Sequence, residues 1–266
     1  MQKLEFLIID PQNDFCSKIG SLFVPGADDD SERLANLIKR MKNQIDDIHV
    51  TLDTHHFIDI AHPIFWIDKN GNHPGNYDFV IISEDDILNG KWRTTNPAHM
   101  NRSLEYVREL KKNNRYMLCV WPPHCLIGTW GHNVIDSVGE SLREWENDFA
   151  MVDYVTKGSN FWTEHYSAIC ADVPDPKDPS TMLNVGLIKT LQNADIIAFS
   201  GQALSHCVAN TLRDIANNFG EENIKKMVLL EDTTSSVQGF EYMGDDFIKE
   251  MKLRGMKTCR AKDFNI

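Results

Sequence analysis

The stretch Leu4-Glu5-Phe6-Leu7-Ile8-Ile9-Asp10 is the strongest indication of the fold class of this chain. Its four consecutive apolar residues, 6–9, predict a strand that is buried on both faces, and a carboxyl group follows them at Asp10. The stretch Ile196-Ile197-Ala198-Phe199 has the same character. Such strands are typical of a parallel sheet covered by helices on both sides, which places the chain in the α/β class.

Strand-like and helix-like segments alternate along the rest of the chain. The strand candidates are residues 4–10, 48–53, 116–121, 151–156, 195–201 and 227–231, with a weaker one at 256–260. The helix candidates are residues 30–43, 101–112, 133–147, 180–192, 205–218 and 239–253. This alternation again favours a parallel sheet with covering helices. No repeat or linker divides the sequence, so we expect one domain over residues 1–266.

Composition and charge exclude several classes of protein. The 266 residues include 27 Lys and Arg against 39 Asp and Glu, a formal net charge of -12, which argues against a nucleic-acid or anionic-membrane surface. No apolar run reaches the roughly 18 residues that a membrane span needs. The N-terminal residues lack the layout of a signal peptide, so we expect a soluble, cytoplasmic protein.

The six cysteines are scattered along the chain and form no C-x-x-C pair. A disulfide framework and a thiolate zinc site are therefore not expected, and reduced thiols are the default. One of these thiols is then available for catalysis, although the count does not indicate which one.

Chemically capable side chains follow several predicted strands at the point where each strand ends. In an open parallel sheet, ligands bind beyond the carboxyl ends of the strands, so these groups are expected to face one cavity. They are Asp10, Asp53 with His55, Trp121 with His124, Lys157 with Gly158, and Gly201-Gln202-Ala203 leading to His206-Cys207. This convergence predicts a functional site at that edge of the sheet.

Cys207 is the candidate nucleophile. It lies in the predicted first turn of a helix, where backbone N–H groups and the helix dipole favour a thiolate and can hold an oxyanion. Asp10 would accept the thiol proton, and Lys157 would supply a cation. Taken singly, a cysteine such as Cys207 is ordinarily a small buried hydrophobe. Asp10 alone could cap a helix or a turn, and Lys157 alone could be a solvated loop residue. His206 is adjacent but faces another direction in a helix, so we expect it to pack or hydrogen-bond instead of forming a Cys–His dyad.

A metal site is the second chemical hypothesis. Asp53 and His55 are two residues apart, so both point to one side of an extended segment. His124, behind two stiffening prolines, would complete a three-ligand site, and His62 and His56 are weaker candidates. Mixed His and carboxylate ligands suit one divalent ion, zinc first, with iron and manganese as alternatives. Taken alone, a D-x-H pair is more often exposed or hydrogen-bonded than ligating.

Together these segments resemble the cysteine hydrolases related to nicotinamidase and isochorismatase. The matching segments are Ile8-Ile9-Asp10-Pro11-Gln12-Asn13-Asp14-Phe15, Gly20-Ser21-Leu22, Val24-Pro25-Gly26, Asp53-Thr54-His55, Trp121-Pro122-Pro123-His124-Cys125, Gly128-Thr129, Lys157-Gly158, Gly201-Gln202-Ala203 and Ser205-His206-Cys207-Val208. They occur in the family's order over most of the chain. The three candidate metal ligands resemble the nicotinamidase branch of the family, because isochorismatase-type members lack them.

The resemblance implies a Rossmann-like three-layer α/β/α fold, for which we expect a mostly parallel six-stranded sheet. It implies a catalytic triad of Asp10, Lys157 and Cys207. It also implies a cis peptide bond before Ala203, whose N–H joins that of Cys207 in an oxyanion hole.

The same resemblance implies a substrate pocket next to the metal. In the nicotinamidase branch the ion holds the pyridine nitrogen of the substrate. Phe15, Trp121 and Tyr166 resemble the aromatic walls of the family's pocket, and ordinary core packing is the alternative for these residues.

The chain departs from the family pattern between His55 and His124, which are 69 positions apart. We expect an inserted, lid-like segment at about residues 57–115 that serves as a lid or a subunit contact; a neutral surface excursion is the alternative. Gln202 stands where the family commonly has an apolar residue, and it would either contact the substrate or stabilise the turn.

The sequence therefore predicts a metal-containing cysteine amidohydrolase that converts nicotinamide, or a similar small aromatic amide, to the acid and ammonia through a thioester. The first alternative is the same machinery acting on a different small amide or carbamoyl compound. A non-catalytic binding protein and a thiol redox protein are disfavoured, because the triad is intact and no resolving cysteine lies beside Cys207. We expect a homo-oligomer without nucleic-acid or membrane partners.

Overall fold

A computed structural model describes residues 2–75, 79–113 and 116–266 of the chain. The strands are β1 (Leu4–Ile9), β2 (Asp47–Asp53), β3 (Trp66–Asp68), β4 (Val80–Ile82), β5 (Trp92–Thr94), β6 (Leu118–Val120), β7 (Asp153–Lys157), β8 (Ile196–Gly201), β9 (Met227–Leu230) and β10 (Lys257–Cys259). Six of them form the central sheet in the order β10-β9-β8-β1-β2-β7, and all neighbours in it are parallel.

The helices connect and cover these strands. They are α1 (Asn13–Cys16), α2 (Ala27–Met41), α3 (Glu84–Leu88), α4 (Met100–Asn113), α5 (Asp136–Glu146), α6 (Val185–Gln192), α7 (Ala209–Phe219) and α8 (Glu241–Leu253). Short 3-10 turns lie at Pro63–Phe65, Pro97–His99, Pro179–Thr181, Glu221–Lys226 and Ala261–Asp263. Within the ranges that the structure describes, no helix combines the length and the apolar character that a bilayer crossing requires.

Both faces of the central sheet are buried, which gives three layers. On one face, Leu7 and Ile9 of β1 share an apolar cluster with residues of α6, α7 and α8. On the other face, Phe6 and Ile8 share a cluster with residues of α2 and α5. Every residue of β1 is buried, as its apolar run predicts. The expected Rossmann-like α/β/α fold with a six-stranded parallel sheet is confirmed.

The pairing of β1 with β8 sets the position of the functional edge. Ile9 pairs with Gly201, so both strands end at the same edge of the sheet. Gly201 has a φ of +115°, and a Cβ there would lie 1.9 Å from the carbonyl oxygen of Ile9. Only glycine permits this close approach. Asp10 and Gln202 then leave their strands side by side.

The predicted strand at 116–121 forms, but it lies outside the central sheet. The structure has β6 there, which pairs antiparallel with β4 from the inserted segment. The weaker candidate at 256–260 instead supplies β10 at one edge of the six-stranded sheet. A short apolar run indicates burial but not which strand is its neighbour, and here the inserted segment provides that neighbour.

The inserted segment, at about residues 57–115, is folded around an apolar cluster of its own. Its strands β3 and β5 form an antiparallel pair, β4 pairs antiparallel with β6 just after the segment, and α3 packs on α4. The cluster includes Trp66, Tyr106 and Leu110 and extends to Trp121. Residues 76–78, 114 and 115 of this segment lie outside the described residues. The limits of the insertion and the single-domain organisation stay predictions.

Candidate active site

Cys207 and Ala203 follow the carboxyl end of β8. The chain passes a cis peptide bond between Gln202 and Ala203, as the family resemblance implies, and enters a π-helical turn, Leu204–Val208, that leads into α7. Cys207 lies in this turn and is 5% exposed. The backbone N–H of Ala203 has no hydrogen-bond acceptor in the described part of the chain. Single π turns inside helices are frequent at functional sites.

Asp10 and Lys157 approach the sulfur of Cys207 from the ends of β1 and β7. Lys157 Nζ lies 2.9 Å from Asp10 Oδ2 and 3.6 Å from Cys207 Sγ. All three side chains are buried. Thr51, on the neighbouring β2, donates a hydrogen bond of 2.5 Å to the other carboxylate oxygen of Asp10 and so orients it. The structure brings the three predicted residues together at one point.

Burial and the neighbouring charges together determine the resting charges of Lys157 and Cys207. Burial lowers the pKa of Lys157, but the carboxylates of Asp10 and Asp53 outweigh this and raise it well above its usual value, so the lysine is charged. Burial raises the pKa of the Cys207 thiol well above its usual value, against the opposing effect of Lys157. The thiol is therefore protonated at rest, so burial outweighs the preference of a helix start for a thiolate.

A compact group of metal-ligand atoms lies next to the triad. Asp53, His55 and His124 are buried and place their donor atoms within 4.8 Å of one another. Asp53 Oδ2 lies 3.1 Å from His55 Nε2 and 3.5 Å from His124 Nε2. The other oxygen of Asp53 lies 3.0 Å from Lys157 Nζ. One carboxylate therefore joins the metal-ligand group to the triad.

Further carboxyl groups surround His55, and that of Asp59 favours a positive charge there. Asp59 Oδ2 lies 3.1 Å from His55 Nδ1, and Glu164 Oε1 lies 3.9 Å from His55 Nε2. Burial opposes protonation of His55, but Asp53 and Asp59 raise its pKa well above the usual value. A carboxylate on the far ring nitrogen is a common way to orient a ligating histidine. Asp59 and Glu164 are missing from the sequence predictions, and only Asp59, four residues after His55, has a spacing that could have indicated it.

His62 lies beside the metal-ligand group. Its ring centroid is 5.1 Å from that of His55 and 5.4 Å from that of His124. Burial, together with these two imidazoles, lowers the pKa of His62 to about 2, so this ring is neutral. Its Nε2 atom is buried and has no hydrogen-bond partner among the described residues. His56, the other weak candidate, is exposed.

Gln12 and Asp14 hold the backbone segments that carry the metal-ligand group. Gln12 Oε1 accepts from the N–H of Asp53, and Gln12 Nε2 donates to the Asp53 carbonyl, both at 2.7 Å. Asp14 Oδ2 accepts a 2.7 Å hydrogen bond from the N–H of Cys125, which follows His124. Both supporting residues belong to the first sequence motif, but their spacing alone assigns them no partner.

A small cavity of about 30 Å³ lies between the triad and the metal-ligand group. It is lined by Phe15, Leu22, Val24, Asp53, Trp121, His124, Tyr166, Ala203, His206, Cys207 and Val237. The three aromatic residues predicted as walls, Phe15, Trp121 and Tyr166, are all part of this lining. Trp121 Nε1 donates a 2.9 Å hydrogen bond to the hydroxyl oxygen of Tyr166, which fixes two walls relative to each other.

His206 and Gln202 both make structural contacts. Burial lowers the pKa of His206 to about 3, so the ring is neutral, and its Nδ1 lies 2.9 Å from Ser205 Oγ. The expected packing and hydrogen-bonding role of His206 is confirmed. Gln202 donates to Asp30 at 3.0 Å and accepts from the N–H of Ser235 at 3.1 Å. Of its two predicted roles, Gln202 therefore has the one that stabilises the turn.

The chain is similar to nicotinamidases in sequence and in fold. In sequence, the chain is 24% identical over 229 residues to the nicotinamidase of Saccharomyces cerevisiae, a match that covers 85% of this chain and 86% of the relative. No protein-family model matches the chain.

Solved nicotinamidase structures share the fold over nearly the whole chain. The yeast nicotinamidase bound to the inhibitor nicotinaldehyde has a TM-score of 0.65 at 20% identity, covering 97% of this chain and 99% of that one. The Acinetobacter baumanii nicotinamidase/pyrazinamidase has a TM-score of 0.64 at 17% identity, with 99% and 98% covered. The pyrazinamidase of Pyrococcus horikoshii in complex with zinc has a TM-score of 0.58 at 18% identity, with 97% and 99% covered.

Proposed function

We propose that this chain is a metal-containing cysteine amidohydrolase that converts nicotinamide, or a similar small aromatic amide, to the carboxylic acid and ammonia. The observation that carries the proposal is the meeting of Asp10, Lys157 and Cys207 beside a three-donor metal-ligand group at one small cavity. The similarity to nicotinamidases, one of them solved with nicotinaldehyde, supports the same class of substrate.

The first step is attack of the Cys207 sulfur on the amide carbonyl carbon. Asp10 accepts the thiol proton while the S–C bond forms, because the buried thiol is protonated at rest. Lys157 stays charged beside Asp10 and stabilises the anionic sulfur as it develops. The backbone N–H groups of Ala203 and Cys207 would donate to the oxyanion of the tetrahedral intermediate.

The second half of the cycle releases both products. Asp10 returns its proton to the amide nitrogen, the C–N bond breaks, and ammonia leaves a thioester on Cys207. Water then attacks the thioester carbonyl while Asp10 again accepts a proton. The C–S bond breaks, the acid leaves, and the proton returns to the sulfur, so the triad ends the cycle in its starting state.

Asp53, His55 and His124 would hold one divalent ion. Their buried donor atoms form a compact group, the carboxylates around His55 favour a cation, and the neutral ring of His62 lies beside them. Such ligands suit zinc, iron or manganese, and we propose zinc because the Pyrococcus relative was solved in complex with it. When bound, the ion supplies a Lewis-acidic centre that holds the ring nitrogen of the substrate.

The cavity suits a small, flat acyl group between aromatic walls. At about 30 Å³ it is smaller than an aromatic amide, so the walls must separate when a substrate binds. Leu22 and Val237 are the lining residues that are half-buried, whereas the others are buried. We therefore expect the substrate to enter on the side of Leu22 and Val237.

The inserted segment supports one wall of this cavity. The N–H of Trp121 donates to the carbonyl of Ala61 at 2.7 Å, and the ring of Phe79 lies 5.4 Å from the Trp121 ring. The segment at 57–115 would therefore shape the pocket from behind Trp121, within a single domain. A pocket shaped in this way allows an amide other than nicotinamide to be the preferred substrate.

We also propose a cytoplasmic location and a homo-oligomeric state. None of the six cysteines, all of them described, forms a disulfide bond, and a catalytic thiol stays active in a reducing compartment. Phe149, Met151 and Tyr154 are exposed at and just before the edge strand β7, a surface that suits a second copy of the chain. Sedimentation of the purified chain tests the oligomeric state.

The function is tested by incubating zinc-loaded protein with nicotinamide and measuring ammonia and nicotinate. Cys207→Ala removes the proposed nucleophile, and Cys259→Ala, in β10, is the matched control. We expect release by the wild type and by Cys259→Ala, and none by Cys207→Ala. Release from another small amide only would favour the alternative substrate class. Release by Cys207→Ala, or none from any amide of a panel, would contradict the proposal.

A further inference from the structure

A second group of metal-ligand atoms lies at the opposite edge of the central sheet, where the strands begin. Glu5 of β1 and Asp47 and His49 of β2 place their donor atoms within 4.8 Å of one another, and we name them the amino-edge group. The group of Asp53, His55 and His124 is the carboxyl-edge group. We propose that the amino-edge group binds a second divalent metal ion of the zinc class.

The amino-edge group repeats the sequence pattern of the carboxyl-edge group on the same strand. Asp47-Ile48-His49 and Asp53-Thr54-His55 are both D-x-H, at the beginning and the end of β2. Side chains two residues apart on a strand share one face, so each pair presents a carboxylate and an imidazole together. The register pairs Glu5 with Asp47, which brings a third donor to the amino-edge pair.

The distance between two donors fits a shared metal ion better than a direct hydrogen bond. Glu5 Oε2 lies 3.5 Å from His49 Nε2, beyond the roughly 2.7–3.2 Å of an N–H···O bond. Ligands bound at about 2.0–2.1 Å to tetrahedral zinc lie about 3.4 Å apart. The same 3.5 Å separates Asp53 Oδ2 from His124 Nε2 in the carboxyl-edge group.

Two buried atoms of the amino-edge group face each other without a hydrogen bond. Glu5 Oε2 and His49 Nε2 have no hydrogen bond among the described residues, although Glu5 is 0% and His49 2% exposed. Buried polar atoms are nearly always paired, so two unpaired atoms directed at one point indicate a missing ligand. Lys3 bonds the other oxygen of Glu5 and leaves Oε2 available.

An outer carboxylate orients the imidazole of the amino-edge group. Asp153 Oδ2 lies 2.9 Å from His49 Nδ1, which leaves Nε2 directed at Glu5. This carboxylate–histidine arrangement is the usual support of a ligating histidine. Asp59 supports His55 in the same way at 3.1 Å. The two groups therefore share both their inner donors and their outer support.

A proton on His49 is the competitor for a metal ion. Burial lowers the pKa of His49, but Glu5 and Asp153 outweigh this effect and raise it. An imidazolium at 3.5 Å from Glu5 would form an ion pair, but it would not use the third donor, Asp47. An ion also has a route to this point, because Asp47 is half-buried and the side chain of Asp153 is 56% exposed. These contacts favour the metal over the proton.

The test counts zinc on the full chain. Protein is stripped with a chelator, reloaded with zinc alone, dialysed against zinc-free buffer and analysed by plasma mass spectrometry. We expect two zinc ions per chain in the wild type and one in His49→Gln and in Asp47→Asn. His73→Gln, which changes an exposed imidazole outside both groups, should retain two. Amide hydrolysis should be unchanged in His49→Gln.

Zinc content that is the same in His49→Gln, Asp47→Asn and the wild type would overturn the proposal. If these variants do not fold, zinc-edge anomalous diffraction from wild-type crystals replaces them: a peak between Glu5 and His49 is expected, and its absence from zinc-loaded crystals contradicts the proposal. The proposal of a second metal site and the proposed function can be contradicted independently of each other. A chain that binds this zinc but hydrolyses no amide would overturn only the function.

Discussion

At its carboxyl end, β2 presents Asp53 to a cavity and leads on to His55, and at its amino end it presents Asp47 and His49 to the rim of the sheet. The two pairs lie on one face of the strand, roughly 20 Å apart at about 3.3 Å per residue. At the carboxyl end, β7 and β8 add Lys157 and the turn that carries the nucleophile. The ligand pattern thus determines where a cation can bind, and the adjoining strands determine whether a reaction can follow.

The two ends also differ in how their lysines are solvated. Lys157 is 1% exposed in its side chain and lies between the carboxylates of Asp10 and Asp53. Lys3 is 41% exposed and pairs with Glu5 at the rim. A buried charge depends on its partners far more than an exposed one does. Lys157 should therefore contribute more than Lys3 to the free energy of unfolding.

Replacing the nucleophile should give the largest difference in amide hydrolysis between a variant at the carboxyl edge and one at the amino edge. Cys207→Ala removes the sulfur that forms the thioester, and amide hydrolysis should fall by about 10⁴-fold or more. His49→Gln, at the amino edge, should leave the rate of ammonia release unchanged. Comparable losses in the two variants would show that the amino edge takes part in the reaction.

Stability should distinguish the two lysines. Lys157→Met leaves the carboxylates of Asp10 and Asp53 buried without their cation, which should cost about 3–5 kcal/mol in the free energy of unfolding. Lys3→Met removes a partly exposed partner and should cost less than about 1 kcal/mol. Urea unfolding of the metal-free proteins measures both values. Equal losses of stability in the two variants would contradict a larger contribution from the buried lysine.

Metal removal should affect the reaction only through the carboxyl edge. Chelation should reduce amide hydrolysis by roughly 100-fold, because the substrate ring loses the ion that positions it. Zinc should restore activity in the wild type and equally in His49→Gln. If zinc restores less activity in His49→Gln than in the wild type, the two metal-ligand groups are not independent.

A further expected effect concerns the pH dependence of stability at His206, beside the nucleophile. Burial lowers its folded pKa to about 3, so below about pH 6.5 the unfolded chain binds a proton here that the folded chain does not. Stability from this group is present above pH 6.5 and is lost as the pH falls towards 3, by at most about 1.4 kcal/mol per pH unit. His206→Phe should lose less stability than the wild type between pH 7 and pH 4 in urea titrations. An identical pH dependence would contradict a neutral, buried His206.

The sequence predicts the central sheet well where a strand is apolar on both faces. The runs in β1 and β8 indicate burial without any knowledge of their neighbours, and they place Asp10 and Gly201 at one edge. The strand at Leu118–Val120 has the same apolar character but pairs with β4. Its three residues carry no information about a neighbour that the inserted segment supplies.

The triad and the metal ligands can be predicted because each follows a strand or belongs to a quoted motif. Thr51, Glu164 and the amino-edge residue Glu5 cannot be predicted in the same way, because the register or the folding of a loop brings them to their partners. At Cys207, burial outweighs the preference of a helix start for a thiolate. These properties therefore require the packed structure.

The central claim is that Cys207 forms a covalent acyl intermediate with the substrate. The most direct test is rapid acid quenching of zinc-loaded protein a short time after mixing with nicotinamide, followed by peptide mass spectrometry. A nicotinoyl thioester on the peptide that contains Cys207, and on no other cysteine, is the predicted result. Nicotinate formation with no acyl group on Cys207 at any quench time, or with the acyl group on another residue, would contradict it.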